Sequence, residues 1–453
     1  MSTTIRPTMP ILVTMSSSRT SVRLGNNVVL PNFGPESSDE SVTVTSALWQ
    51  PGGGNDPSLT GSPDIDEAAF EDGGDVALGS AATTVQYPEV GIIELRAALA
   101  DGDYLGTGVD VPGRSGPVGR FIPADFNQTA TDGMFRNTCS ATFTYLGETF
   151  GYQTGSVPEL TITARNDGGQ TTRNYTGTFA KLVAANVDRT GPTSDGSTNG
   201  SDGTPLAVIP DLQQGTLTDN GDGTLTYTFD STDGYRYDRN IDRDGDSEND
   251  ARVAPFETDL TVTIDSIEDS DNVNAPAVNR EDVTPDPASI RFGRLVIENA
   301  AGAEIAPVEQ VIRAEYFAPQ SGDQWVVNAD DDGCTGFTLA APGNEVQLAN
   351  DDDGDSPVAG DEPIDVAGGT TSIEETGPVP LGAGTAILTF EAPGADNTGW
   401  VDTTVLLVGA EHPYLAIDDN GDGIWDADPT GRVTFGIYTG PSGRILLREI
   451  PAN

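Results

Sequence analysis

The stretch Leu160-Thr161-Ile162-Thr163-Ala164-Arg165 alternates apolar and polar residues with a period of two. Successive side chains of a strand point to opposite faces, so the alternation predicts a β-strand with one face on a core. The pattern recurs at 259–265 (DLTVTID), 385–390 (TAILTF) and 401–408 (VDTTVLLV). Each run is short and is bounded by Gly, Asn, Asp or Pro, the residues that set turns. Capped segments with a 3.6-residue apolar period are nearly missing, and residues 66–70 give one helical turn at most. The expected fold class is therefore all-β: tandem antiparallel β-sandwich domains, immunoglobulin-like, with long acidic loops.

At 453 residues the chain has room for about three such domains, and 54 Gly with 31 Pro supply the turns that short strands need. We expect an immunoglobulin-like sandwich over 1–118, with truncation at its N-terminus left open. A sandwich with an acidic insert should cover 119–284, and a C-terminal sandwich 285–453. Tyr87-Pro-Glu-Val-Gly-Ile-Ile-Glu-Leu-Arg-Ala97, an aromatic ahead of an alternating run, reads as the F strand of the first. Residues 52–74 and 344–377 read as acidic loop excursions, 191–203 as a mobile surface loop, and 269–287, with three prolines, as a linker. DNGDG occurs at 219–223 and again at 419–423, but the flanks differ. The first copy lies between strand-like runs and reads as a hairpin turn.

Twenty-two basic residues against 71 acidic ones leave a formal charge of −49. Phosphate backbones and anionic lipid surfaces are held by clustered Lys and Arg, so this balance argues against nucleic-acid and lipid-surface partners. No apolar run approaches the ~20 residues of a membrane helix, so no membrane insertion is expected in this segment. Residues 10–15 are too short for a signal-peptide core; an exported chain would need its signal outside this sequence. The basic residues are 21 Arg and one Lys, Lys181. Dense carboxylates favour hydration and attract cations, which suits a halotolerant surface in saline water.

Two acidic loops fit calcium-loop spacing, with oxygen ligands at positions 1, 3 and 5 and a turn glycine at 6. Asp418, Asn420 and Asp422 precede Gly423, with the Ile424 carbonyl at seven and Asp426 at nine. Position twelve is Pro429, and Asp428 is the nearest substitute for the usual Glu. Calcium is the preferred reading there over a solvated turn. Asn240, Asp242 and Asp244 precede Gly245, with Asp246 and Glu248 at seven and nine and Asp250 beside position twelve. Here calcium and a solvated acidic insert stand as alternatives. The runs at 328–333 and 351–355 lack a completing carboxylate and read as solvated loops.

Catalysis finds little footing, so the chain reads as no enzyme. The only His is His412 and the only Lys is Lys181, neither in a nucleophile motif, and no phosphate-binding or dinucleotide loop occurs. Trp49, Trp325, Trp400 and Trp425 read as packing residues before sugar platforms, with Trp425 the most exposed of them.

A set of ordered pieces adds a family resemblance. Glu89-Val-Gly91, Gly119-Arg-Phe-Ile-Pro123, Cys139 ahead of Phe143-Thr-Tyr-Leu-Gly147, and Asn174-Tyr-Thr-Gly177 ahead of Phe179-Ala-Lys-Leu182 come first. Then follow Arg291-Phe-Gly-Arg-Leu-Val-Ile297, Ile312-Arg-Ala-Glu-Tyr-Phe317, Asn328-Ala-Asp-Asp-Asp-Gly-Cys-Thr335, the 418–429 loop, Arg432-Val-Thr-Phe-Gly-Ile-Tyr438 and Arg444-Ile-Leu-Leu-Arg-Glu-Ile450. Over roughly 85–453 the chain resembles the C-terminal domain of unknown function of the MSHA biogenesis protein MshQ family. That resemblance implies a type IV pilus system of a Gram-negative bacterium, an extracellular or cell-surface location, and pilus or cell-surface components as partners, glycans being a further candidate. It brings no catalytic residues. The alternatives are a calcium-rigidified stalk module of another large adhesin and a carbohydrate-active enzyme using two of the many carboxylates. Export would favour a disulfide between Cys139 and Cys334, the only cysteines. Its loop-entropy contribution is about 4–5 kcal/mol without strain. Their places in different proposed domains leave free thiols as the alternative.

Overall fold

The computed structural model describes residues 11–16, 40–71, 80–320, 324–339, 346–350, 357–409 and 411–436. Among them the one α-helix is the four-residue Ala68–Glu71. The rest is short strands and turns organised around three apolar cores.

Around the first core, Val42–Gln50, Gly91–Leu99 and Gly113–Phe121 form an antiparallel sheet with Asp64–Ile65 at its edge. A second sheet has Ser80–Gln86 between Ile11–Ser16 and Thr60–Gly61. Val42, Val44, Ile93 and Leu95 from one sheet and Ala81 and Val85 from the other share the core, which makes this a sandwich. Tyr87 is fully buried ahead of the Gly91–Leu99 strand, its hydroxyl reaching Asn55 and Asp56, as the aromatic-then-alternation pattern predicts. The Gly113–Phe121 strand runs across position 118/119.

The LTITAR stretch lies inside the strand Glu159–Arg165, an interior member of a four-stranded sheet. Leu160, Ile162 and Ala164 are fully buried, the inward half of the alternation. Truncating a buried Leu or Ile at such a position costs about 2–5 kcal/mol. Its neighbour Thr224–Thr228 pairs with Thr216–Asp219 through the DNGDG turn, the expected hairpin.

Two expectations for this region fail. Residues 191–203 hold a strand, Ser194–Asn199, pinned by the buried Asp195. Its carboxylate accepts from the Tyr237 hydroxyl (2.5 Å) and from the backbone of Ser197, Thr198 and Asp259. Polar composition did not show that one aspartate was satisfying this many buried donors. Residues 269–287 are not a linker either. Val273, Ala275 and Val283 sit in the core, and Val283 bridges Val262 in antiparallel fashion.

The third core lies between two further sheets. One holds Gly293–Ile297, Val308–Phe317, Trp325–Val327 and Thr385–Phe390; the other holds Ala300–Gly302, Thr430–Phe435, Gly399–Val405, Val346–Ala349 and Val358–Ala359. The supposed excursion at 344–377 thus contributes a core strand, with Val346 and Leu348 fully buried. The acidic run 351–355 lies outside the described residues.

The second and third cores interpenetrate. Cys139, Phe143 and Tyr145 pack into the third core, while Phe317 and Trp425 pack into the second. Ser289–Arg291 completes the exchange, pairing antiparallel with Phe256–Glu257 and parallel with Thr144–Tyr145.

One-to-one pairing of 22 basic residues could neutralise only about a third of the 71 acids, so most carboxylates repel one another across the surface. Added salt screens that repulsion. The unfolding midpoint should therefore rise as sodium chloride is raised from low millimolar to molar levels; a midpoint that stays flat or falls in a thermal melt would count against it.

Candidate functional site at the joint of the two domains

The residues with the most specific chemistry converge where the second and third cores meet. Cys139 sits in a tight turn closed by the Thr142 amide donating to its carbonyl. Cys139 and Cys334 form a disulfide with their Cα atoms 5.4 Å apart, although 195 positions separate them in sequence. Beside it Tyr145 is almost completely buried, and its hydroxyl donates to Asp331 Oδ2 at 2.8 Å. Asn328 Nδ2 donates back to that hydroxyl at 2.8 Å, and Asp331 also accepts from the Thr335 hydroxyl and amide. Burial, reinforced by the Asp331 charge, holds the Tyr145 hydroxyl well above its usual pKa, so it stays a donor. Arg291 ties in the rim, donating to Asn328 Oδ1 and to Asp330 Oδ2 while its guanidinium lies over the Phe143 ring at 4.6 Å. A Cβ at Gly293 would fall 2.4 Å from the Tyr145 ring, so only glycine fits under it.

A second contact fastens the same joint. Arg239 is buried, and among the described residues no carboxylate pairs with its guanidinium. Its nitrogens donate to three carbonyls, Gly293 at 2.7 Å, Ala416 at 3.0 Å and Trp425 at 3.2 Å. Its charge lies 4.6 Å from the centre of the Phe292 ring and 5.4 Å from that of Trp425. Burial pushes its pKa down to about 9, still high enough to keep it a cation at neutral pH. Trp425, expected to be exposed, is 6% exposed; it packs edge-on against Phe292 and lies 5.3 Å from Trp325.

The two acidic loops read as calcium-like touch each other here. Asn240 Oδ1 accepts from the Trp425 amide at 3.0 Å, and a Cβ at Gly423 (φ +83°) would fall 2.9 Å from the Ser247 backbone. Their carboxylates behave differently. Asp242, Asp244 and Asp250 each place an oxygen within 4.8 Å of the others. Asp250, fully buried, accepts from the Ser201 hydroxyl and the Arg243 amide, and Asp242 accepts from the amides of Gly245 and Ser247. The Asp246 amide donating to Asp244 opposes a rise in its pKa. Desolvation and the charges of Asp246 and Asp250 outweigh it, and the carboxyl sits above its usual value. Asp246 and Glu248 are outside the group; Glu248 is near Arg252 at 3.7 Å.

In the other loop, no three of Asp418, Asp422, Asp426 and Asp428 converge in this way. Asp418 instead accepts from the amides of Gly421, Asp422 and Gly423; Asn420 and Asp422 bond to each other, and Asp422 also accepts from the Ile424 amide. Asp428 turns away to accept from the amides of Leu407 and Val408. The sequence reasoning therefore ranked the loops by spacing, whereas the fold gathers carboxylates in the 240s loop. Asp250, one place short of position twelve, is the ligand-type residue that spacing left out.

A separate joint binds the first sandwich to the second core. The buried Glu89 carboxylate accepts from the amides of Val90, Arg173 and Asn174 and from the Asn55 side chain. Asn174 in turn brackets Asn55 and donates to the Val90 carbonyl. The pieces Glu89-Val-Gly91 and Asn174-Tyr-Thr-Gly177, far apart in sequence, are two halves of this contact.

These contacts define a class: a tandem β-sandwich protein whose domains are fastened to one another by buried polar side chains and a disulfide. The chain belongs to the DUF6701 family, residues 89–291 matching its third domain and 291–450 its fourth. The change of domain falls on Arg291, inside the strand that pairs across the joint. No curated protein matches the sequence. Among solved structures, the I67–I69 fragment of titin aligns at 9% identity over 87% of this chain and 88% of its own, with a TM-score of 0.21. A marsupial T cell receptor aligns at 10% identity over 87% and 92%, with a TM-score of 0.20. At these scores the similarity adds nothing to what the sheets of this chain already show.

Two substitutions separate the fasteners. Arg239→Ala strands three buried carbonyls and opens a gap between Phe292 and Trp425; we expect a loss of about 3 kcal/mol or more in urea unfolding. Replacing both Cys139 and Cys334 by serine removes a constraint worth about 5 kcal/mol in chain entropy, so the urea midpoint should fall with native spectra retained. Free thiols by intact mass in the oxidised wild-type protein would refute the bridge.

Proposed function

We propose that this chain is a non-enzymatic, exported module of an MshQ-like surface protein, serving a type IV pilus system in pilus assembly or adhesion as a rigid presenting arm. One observation carries the reading: the third and fourth family domains are fused by a disulfide, a buried cation and exchanged core residues. A disulfide of this kind persists in oxidising compartments, which supports export. A locked joint suits a part that must hold another domain or a ligand at a fixed angle rather than open and close. The same rigidity would serve a stalk of another adhesin, and the partners captured at the cell surface distinguish the two.

In this reading a calcium ion at Asp242, Asp244 and Asp250 stiffens the insert that carries Asn240 and Arg239 against the 418–428 loop. Three carboxylates and nearby backbone carbonyls are the oxygen donors that a hard cation takes. The residues at 418–428 do not fit a cation as closely, because no three of their carboxylates converge.

Protease treatment of intact source cells should remove an epitope-tagged copy of the chain, and deletion of the gene should reduce surface piliation or attachment. A tag that stays protected until the cells are lysed would overturn export. For the metal, calcium should raise the melting midpoint and a chelator should reverse the gain; the same additions to Asp250→Asn should do neither. An unmoved wild-type midpoint would remove calcium from the account.

A further inference from the structure

Away from both joints, the second core opens to solvent through a cleft of about 410 Å³, within the size range of small-molecule sites. Phe150 and Tyr152 line it, together with the turn at Ser231 and Thr232.

The polar groups at the mouth are unusual for this chain. Arg136 lines the cleft and is exposed, and its guanidinium makes no hydrogen bond or ion pair among the described residues. That is notable where acids outnumber bases by 71 to 22, since most other described arginines hold a carboxylate. The hydroxyls of Thr149, Thr154 and Ser231 line the same space and are likewise unpartnered. Thr232 is committed to Asp230. The one acid lining the cleft, Asp233, does not repel an anion. Its carboxylate is fully buried and neutralised by Arg189 at 2.5 Å, with the Gln213 amide on its other oxygen.

We propose that this cleft binds a saccharide unit bearing a carboxylate, of the uronic acid type. Arg136 supplies the planar fork that grips a carboxylate through two parallel hydrogen bonds. Thr149, Thr154 and Ser231 can each donate to and accept from sugar hydroxyls. The cleft is open, so it accepts an internal or terminal residue of an acidic polysaccharide rather than enclosing a free monomer. The proposal stands apart from the surface-module reading, since binding is measured on the purified chain and localisation on cells.

The test is calorimetric titration of the full chain with digalacturonic acid, methyl galactoside and inorganic sulfate at low salt. We expect binding of the digalacturonic acid only. Arg136→Gln should weaken it about tenfold or more, as loss of one charge-assisted pair implies. Thr154→Val with Ser231→Ala should weaken it as well while leaving Arg136 in place. Both variants change exposed side chains, so their melting midpoints should match the wild type. No binding of the digalacturonic acid, equal binding of the methyl galactoside, sulfate competing as well as the acidic sugar, or full affinity in Arg136→Gln would each overturn the proposal.

Discussion

Arg239 carries a positive charge into a site with no carboxylate, and the rest of the joint is arranged around it. An unpaired buried ion costs several kcal/mol, so the site is tolerable only if polar atoms and π faces replace water completely. Gly293, Ala416 and Trp425 supply the carbonyls, Phe292 and Trp425 the rings, and all but Phe292 and Gly293 come from the far end of the chain. The two Nη nitrogens therefore find their carbonyl partners only when the two family domains are docked, while Nε has none. The guanidinium ties the folding of one domain to the presence of the other.

The disulfide and the Tyr145 network act on the other side of the joint by different physics. The bridge closes a long loop and acts largely on the unfolded chain. Tyr145, Asn328 and Asp331 act in the folded state, where each hydrogen bond is shielded from water and each member leaves a buried orphan if another is removed. With core residues exchanged in both directions, no single cut separates the domains cleanly.

Much of the architecture was legible in the sequence because period-two alternation is a local signal. LTITAR, TAILTF and residues 401–405 of the 401–408 run became strands with their apolar half buried, and Tyr87 ahead of its strand became a core residue. The failures share a cause. Ser194–Asn199 and the bridges of 269–287 are polar segments whose order comes from buried aspartates and distant backbone, and composition is blind to both. The candidate site was legible in part: the two acidic loops and the two cysteines were visible as residue types, but which carboxylates converge was not. Arg239 stands on the inward side of the Tyr235, Tyr237, Ile241 alternation, but nothing local indicated the carbonyls of Ala416 and Trp425 that it meets there.

The sequence by itself determined the class of fold, the strand faces and the acidic surface, since each rests on residues adjacent along the chain. Only the tertiary structure decided that Glu89 meets Asn174, that Cys139 meets Cys334, and that Asp250 rather than Asp246 joins Asp242 and Asp244. The reason is range. A hydrogen bond or disulfide between positions nearly two hundred residues apart depends on the docking of whole sheets, and no local pattern encodes that docking.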